Sequence, residues 1–215
     1  DTFLVIFVHT RPHFSESRNA IRRSWGSVSR TGKWPGIAGT LPPVDVYFVT
    51  AESSGDPSVA ERLETESAEY QDIIKFDFID SYFNLTLKSL MDLKWFHQHC
   101  SHAQYLAKAD DDVFIDVGQL VSLLQENPHK SNAILGDRIH HPRLYRDHPK
   151  WAVPQHRYSD DMYPDYMKGT TYVLTPDLPA KMLAIAPYVL PIHVDDVYIS
   201  GILAQILQID LIKTR

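Results

Sequence analysis

The stretch Gln104-Tyr-Leu-Ala-Lys-Ala-Asp-Asp-Asp-Val-Phe-Ile-Asp116 decides the fold. Tyr105 to Ala109 reads as a short apolar strand. It runs into Asp110, Asp111 and Asp112, and the apolar character resumes at Val113, Phe114 and Ile115. Adjacent carboxylates between two apolar runs do nothing for folding. Each disfavours its neighbour's ionised form by about 1 kcal/mol per close pair in a wet site. A hard divalent cation removes that cost, and carboxylate oxygens suit Mg²⁺ or Mn²⁺. An acidic turn or a helix N-terminus is the plainer alternative. Asp116 already fills that role. It precedes the helical stripe Val117, Leu120, Val121 and Leu124, and Gln119 completes a capping box. Asp110 to Asp112 are therefore left over as metal or ligand candidates.

Outward from this strand, the elements alternate. Phe3 to Val8 is a near-continuous apolar run, the pattern of a strand covered on both faces. A helix follows from about Ser17 to Trp25, with Gly26 as its stop. Ser27 to Pro43 reads as loop, Val44 to Val49 as a strand, and Pro57 to Tyr70 as a charged surface helix. Ile73 to Phe78 is a strand, and a helix capped at Asn84 reaches about His99. Beyond the central stretch, Val117 to Glu126 is a helix and Ala133 to Gly136 a short strand. Arg138 to Asp165 is a long irregular stretch, a length that in compact domains usually carries function. Thr170 to Leu174 is a strand, Leu178 to Ala186 a helix, and Asp195-Asp-Val-Tyr198 opens a helix towards Leu207.

This alternation predicts an α/β fold with a central, mostly parallel sheet flanked by helices. In such sheets ligands bind beyond the carboxyl ends of the strands. Thr10 to Arg22, Asp80 to Lys88 and Asp110 to Asp112 all fall there. Arg18 and Arg22 share one helix face near its start, where cations oppose the macrodipole. A nearby anion would explain them, as would a solvated basic face or ordinary salt bridges. Trp151, Tyr163 and Tyr166 lie in or beside the long loop, and aromatic faces of this kind stack on sugar rings. Packing of the loop onto the core is the alternative.

Length and composition set bounds. The 215 residues suit one large domain, and 44% hydrophobic content supplies a substantial core. A net charge of −6 argues against a nucleic-acid partner. No apolar run approaches the roughly 18 residues of a membrane span. Both ends look cropped, so an N-terminal anchor outside the chain stays open. The single cysteine, Cys100, forms no intrachain disulfide. Asn84-Leu85-Thr86 is a glycosylation sequon. There is no Gly-x-Gly-x-x-Gly, Walker loop, Gly-x-Ser-x-Gly or Cys-x-x-Cys.

Several ordered motifs resemble those of the β-1,3-galactosyltransferase and β-1,3-N-acetylglucosaminyltransferase family. They are Arg18-Asn-Ala-Ile-Arg-Arg-Ser-Trp-Gly26, Glu69 to Lys88, Lys108-Ala-Asp-Asp-Asp-Val-Phe114, Lys150-Trp151, Tyr163-Pro-Asp-Tyr-Met-Lys-Gly169 and Asp195-Asp-Val-Tyr198. The resemblance covers about Phe3 to Ile209. It implies a GT-A-type nucleotide-sugar transferase fold, residues 1–215 forming one catalytic domain, and an inverting, metal-dependent transfer from a UDP-sugar to a glycan acceptor on glycoprotein or glycolipid. It also implies a Golgi type II membrane enzyme anchored through a segment absent from this chain.

The resemblance assigns Asp110 and Asp112 to Mn²⁺ or Mg²⁺, with Asp112 in direct contact and Asp110 towards the ribose or uracil. Arg18, Arg22, Asp80, Lys88, Lys108 and Asp111 become candidates for the nucleotide, and Trp151, Tyr163 and Tyr166 for the acceptor. Asp196 is the expected catalytic base, with Asp195 beside it. This chain departs from the family at Met167, where cysteine is common, and at Asp195, where glutamate is usual. It also lacks the further cysteine after Asp195-Asp-Val-Tyr198, and no C-terminal metal-ligating His is identifiable. Two other readings remain: a different metal-dependent nucleotide-sugar enzyme, and a sugar- or UDP-binding module of the same fold without catalysis.

Overall fold

The computed structural model describes residues 2–53, 55–129 and 131–214; Asp1, Ser54, Lys130 and Arg215 lie outside the described residues. β1 (Leu4–His9) is buried along its whole length, as its apolar run requires. It is flanked on both sides by parallel strands, β2 (Val44–Glu52) and β4 (Tyr105–Asp110). β3 (Ile73–Ile79) adds in parallel to β2. Beyond β4 the direction reverses: β6 (Tyr166–Leu174) is antiparallel to both β4 and β5 (Ala133–Ile139). β7 (Asp210–Lys213) closes the edge, parallel to β5. The sheet is seven-stranded in the order β3-β2-β1-β4-β6-β5-β7.

Alternate residues of β1 feed two cores. Leu4, Ile6 and Val8 pack with Ile21, Trp25, Val117, Val121 and Leu124, hence under α1 (Ser15–Arg23) and α5 (Val117–Glu126). Val5 and Phe7 pack with Leu93, Phe96, Leu178, Met182 and Leu203 on the other face. These belong to α4 (Leu85–His99), α6 (Leu178–Ile185) and a π-helical segment, Val197–Leu203. α2 is the short helix Val28–Thr31, α3 spans Pro57–Tyr70, and α7 (Ala204–Ile206) continues the π-helix.

Several elements differ from the sequence reading. α1 stops at Arg23, and Trp25–Ser27 forms a separate 3₁₀ turn. Gly26 is required there, because a Cβ would stand 2.8 Å from the Ile21 side chain and 2.9 Å from its carbonyl oxygen. The segment from Ser27 to Pro43 is not all loop, since it contains α2. β5 and β6 run further than their apolar cores suggest, pairing Ile139 with Tyr166, so the irregular stretch contracts to 140–165. Asn84 sits at the N-cap position of α4 but does not cap it; its amide donates to the Ile79 carbonyl at 2.8 Å instead. Asp116 does cap α5, accepting from the Gln119 N–H at 2.9 Å.

Candidate active site

The carboxyl end of β4, the start of β6, the start of the π-helix and part of the long irregular stretch enclose a cleft of about 420 Å³. Lys108, Asp110, Tyr82, Trp151, Tyr166, Gly169, Asp195 and Asp196 are among its lining residues. Lys108 is its hub. Its ammonium donates to Asp110 Oδ1 and to the Gly169 carbonyl, both at 2.6 Å, and lies 3.9 Å from Asp195 Oδ2. Burial alone would lower its pKa, but Asp195, Asp110 and Asp196 together hold it above its ordinary value.

Asp196 is held at the mouth of the π-helix by two backbone N–H groups. Val197 donates to Oδ1 at 2.8 Å and Gly169 to Oδ2 at 3.0 Å. Gly169 admits this approach because any Cβ there would stand 2.9 Å from Asp196 Oδ2. Burial, and then the charge of Asp195, push the Asp196 carboxyl up to about 6 against those hydrogen bonds and Lys108. Asp195 is buried and accepts from Ser89 of α4 at 3.0 Å. Asp196, not Asp195, therefore caps the helical segment, and that segment is a π-helix where the sequence suggested an ordinary one. π-Helical turns recur at functional sites.

Asp110 ends β4, and burial followed by its neighbours Asp195 and Asp112 raises its carboxyl despite Lys108. Asp111 is partly buried, with Oδ2 lacking a hydrogen-bond partner among the described residues, while Asp112 is exposed. Among the described residues no three His, Cys, Asp or Glu side chains form a ready metal cage. Mg²⁺-type sites commonly use one or two carboxylates and complete their shell with substrate phosphates and water. The donor set of Asp110 and Asp112 fits a hard divalent cation shared with a phosphate group.

Other sequence candidates lie elsewhere. Arg18 is fully buried and all its donors are committed: Glu66 takes two hydrogen bonds at 2.8 and 2.6 Å. Thr10 Oγ1 and the carbonyls of Arg11 and Pro12 take the rest. Arg22 is clamped between Glu66 and Asp72 and lies over the Tyr70 ring at 3.9 Å. The anion that explains both arginines is thus internal, and neither side chain lines the cleft. Lys88, 2% exposed, donates to Asp80 at 2.7 Å and to the Thr10 carbonyl at 3.1 Å. Asp80 in turn accepts from Ala51 N–H at 3.2 Å and Thr50 at 3.3 Å. Asp80 and Lys88 therefore stand behind the cleft as a satisfied buried pair.

The aromatic candidates divide. Trp151 is exposed at the cleft mouth, stacked on His148 at 4.0 Å. Tyr166 lines the cleft, its hydroxyl pushed up to about 12 by burial and then by Asp196. Tyr163 touches the cleft but is 8% exposed and belongs mainly to the core. Tyr82, Tyr145, Arg143 and Lys168 also line the cleft and were not singled out from the sequence. Their segments were marked, Tyr82 and Lys168 inside quoted motifs and Arg143 and Tyr145 inside the long irregular stretch, but which side chains of those segments meet at the cleft is decided only on folding.

Fold and site together define a nucleotide-sugar transferase architecture of the GT-A type. The galactosyltransferase family model matches residues 16–215, and the chain belongs to that family. A lactosylceramide 1,3-N-acetyl-β-D-glucosaminyltransferase A of Danio rerio is 35% identical over 205 residues, covering 93% of this chain and 53% of the relative. A UDP-GalNAc:β-1,3-N-acetylgalactosaminyltransferase 1 of Mus musculus is 34% identical, covering 97% of this chain and 61% of the relative. A β-1,3-galactosyltransferase 2 of Homo sapiens is 32% identical, covering 95% and 47%. The chain thus spans about half the length of the curated relatives it matches. Among solved structures, a 4-diphosphocytidyl-2C-methyl-D-erythritol synthase superposes with TM-score 0.52 at 9% identity, covering 100% of this chain and 90% of that one. That likeness bears on the fold alone.

Proposed function

We propose that residues 1–215 form the catalytic domain of an inverting, metal-dependent β-1,3-hexosyltransferase. It moves galactose or an N-acetylhexosamine from a UDP-sugar to a glycan hydroxyl on protein or lipid. The observation that carries this reading is Asp196: a half-buried carboxylate on the cleft wall, oriented by two N–H groups, with a pKa of about 6. Such a group is ionised at neutral pH yet basic enough to take a proton. Asp110 lines the same cleft, paired with Lys108.

In this reading an acceptor hydroxyl lies against Asp196. Its oxygen attacks the anomeric carbon while its proton passes to the carboxylate, and the bond from that carbon to the UDP oxygen breaks with its electron pair leaving on UDP. One base on the face opposite the leaving group also serves inverting glycoside hydrolysis. Asp110 and Asp112 would hold a divalent cation, which neutralises charge on the departing diphosphate. Lys108 fixes Asp110 beside Asp195. Arg18 and Lys88 act indirectly, by clamping the Thr10–Pro12 turn that follows β1 and faces the nucleotide, with Asp80 orienting Lys88 and Asp111 bordering that turn. Trp151 and Tyr166 offer the acceptor sugar its aromatic faces.

The family resemblance supports a Golgi lumenal location, with attachment through a segment outside these residues. Among the described residues no helix is long and apolar enough to cross a membrane. The test is a screen of UDP-sugars with Mn²⁺, reading UDP release with and without glycan acceptors. Acceptor-dependent release from one donor is the expected result. Tight UDP binding with no release from any donor would instead identify a binding module of the same fold.

A further inference from the structure

On the α4 face of the sheet, one polar pair interrupts the apolar core directly beneath the cleft. His9, the last residue of β1, meets Asp92 of α4 with Nε2 2.5 Å from Oδ2. Both residues are buried, at 6% and 4% exposure. Phe7, Val49 and Phe96 around them are fully buried and apolar. The remaining polar atoms of the pair, His9 Nδ1 and Asp92 Oδ1, are buried and have no hydrogen-bond partner among the described residues.

Folding alone gives no reason for such a pair. Replacing a buried, incompletely satisfied polar pair by apolar groups of similar size is often neutral or stabilising. Its position supplies a reason. In the register of β1 against β4, His9 lies opposite Asp110 and Phe7 opposite Lys108. Paired residues of adjacent strands project from the same sheet face, so His9 stands beside Asp110 on the face that α4 covers. Asp92 belongs to a buried edge of α4 that serves the cleft at three points: Lys88 holds the Thr10 carbonyl, Ser89 holds Asp195, and Asp92 holds His9. The charges that face the pair are Lys88, Lys108 and Asp195. Burial lowers the His9 pKa and raises that of Asp92, which favours a net-neutral pair that adds shape and dipole without a further charge.

We propose that the His9–Asp92 pair is a positioning device for the donor site, the buried wall that fixes Asp110 and Lys108 where they meet a nucleoside diphosphate and its cation. This rests on the transferase reading above. The pair touches neither substrate nor cation; it acts through Asp110 and Lys108.

The test replaces the pair by apolar residues, His9→Val with Asp92→Leu, and compares thermal unfolding, UDP affinity in Mn²⁺ by calorimetry, and the separate KM values for donor and acceptor. The double variant should unfold at or above the wild-type temperature. Its UDP affinity should fall about tenfold, as for outer-shell groups that orient metal ligands, with the acceptor KM unchanged. Wild-type UDP affinity in the folded double variant overturns the proposal, and so does an equal loss in donor and acceptor terms. Should the double variant fail to fold, Asp92→Asn preserves the size of the side chain; it should unfold like the wild type and bind UDP several-fold more weakly. Wild-type affinity in that variant likewise overturns the role. Failure of the wild-type chain itself to bind UDP in Mn²⁺ is a different result, because it removes the transferase reading and this role with it.

Discussion

Two buried charge networks flank β1, and they are built on opposite principles. Arg18, Arg22, Glu66 and Asp72 form a closed set of two cations and two anions in which the carboxylates meet the guanidinium donors at 2.6 to 2.8 Å. Lys108, Asp110, Asp195 and Asp196 form an open set, one cation among three carboxylates, at the wall of a cleft. In the closed set Glu66 is buried, yet hydrogen bonds from both arginines bring its pKa below the ordinary value. In the open set Asp196 and Asp110 are pushed up, first by burial and then by neighbouring carboxylates. A closed network has satisfied itself and serves the fold. Excess carboxylate beside a cleft is unsatisfied until something cationic or protic arrives, and that surplus is the mark of function.

The comparison breaks most visibly under substitution. Arg18→Met strips Glu66 of one buried partner and should cost about 3 kcal/mol or more of folding stability, read by urea denaturation. Because Arg18 also clamps the Thr10–Pro12 turn, the folded fraction should lose UDP affinity only modestly and alongside stability; a selective loss of UDP binding with unchanged stability would move Arg18 from the closed set to the site. Asp196→Asn should do the reverse. Transfer should fall by roughly 10²-fold or more, while UDP binding persists and stability at pH 7 holds or rises, because the ionised carboxylate disfavoured by the fold is removed. Near wild-type transfer by that variant would place the base elsewhere, with Asp195 next in line.

Much of this division is invisible along the chain. Six of the seven sheet strands, the Asp116 cap and the location of Asp110 to Asp112 were legible, because apolar periodicity and capping chemistry are local, whereas the edge strand β7 was not assigned. Arg18 and Arg22 were ambiguous between nucleotide and salt bridge, since their partner Glu66 lies 48 and 44 residues away. His9 and Asp92, 83 residues apart, gave no signal at all. The antiparallel insertion of β6 between β4 and β5 was equally hidden, as alternation says which residues form strands and not which strand lies next. The π-helix after Asp196 uses the same residue types as an α-helix. Asp196 itself was reached through its resemblance to a family motif; its two backbone donors and its raised pKa come from the folded chain.

The open network should also be separable into a cation side and an acceptor side. Asp112→Asn keeps the shape of an exposed side chain but removes one anionic oxygen ligand. Metal-dependent UDP affinity should drop at least tenfold by calorimetry, with unfolding unchanged. Equal UDP affinity in the variant and the wild type would exclude Asp112 from cation binding. Trp151→Ala should act on the other side. Loss of one stacking face, worth about 0.5–1.5 kcal/mol, should raise the acceptor KM by about two- to twelvefold, by the tenfold-per-1.4 kcal/mol relation, and spare UDP. Equal loss of both would show instead that Trp151 holds the loop in place.

The gentlest perturbation is pH, and here the two networks should move in opposite directions. Asp196 must be ionised to accept a proton, so transfer should be about half-maximal near its pKa of about 6 and fall towards tenfold per unit below it. Its folded pKa is raised above the ordinary carboxylate value, so the folded chain binds this proton more tightly than the unfolded one. The stability it contributes is therefore fully present below about pH 4 and is lost as pH rises through about 6. Measured without cation, the chain should gain about 2 kcal/mol between pH 7 and pH 4.5 from this group. Glu66 has the opposite sign: its pKa is lowered, so its contribution is intact throughout that window and is lost only at more acidic pH. Activity should thus decline on acidification while stability holds or rises, and Asp196→Asn should remove its share of the rise, leaving that of the other raised carboxyls such as Asp110. A wild-type chain whose stability falls in step with activity between pH 7 and pH 5 would show that acid is opening the structure, and the assignment of the half-maximal point to Asp196 would fall.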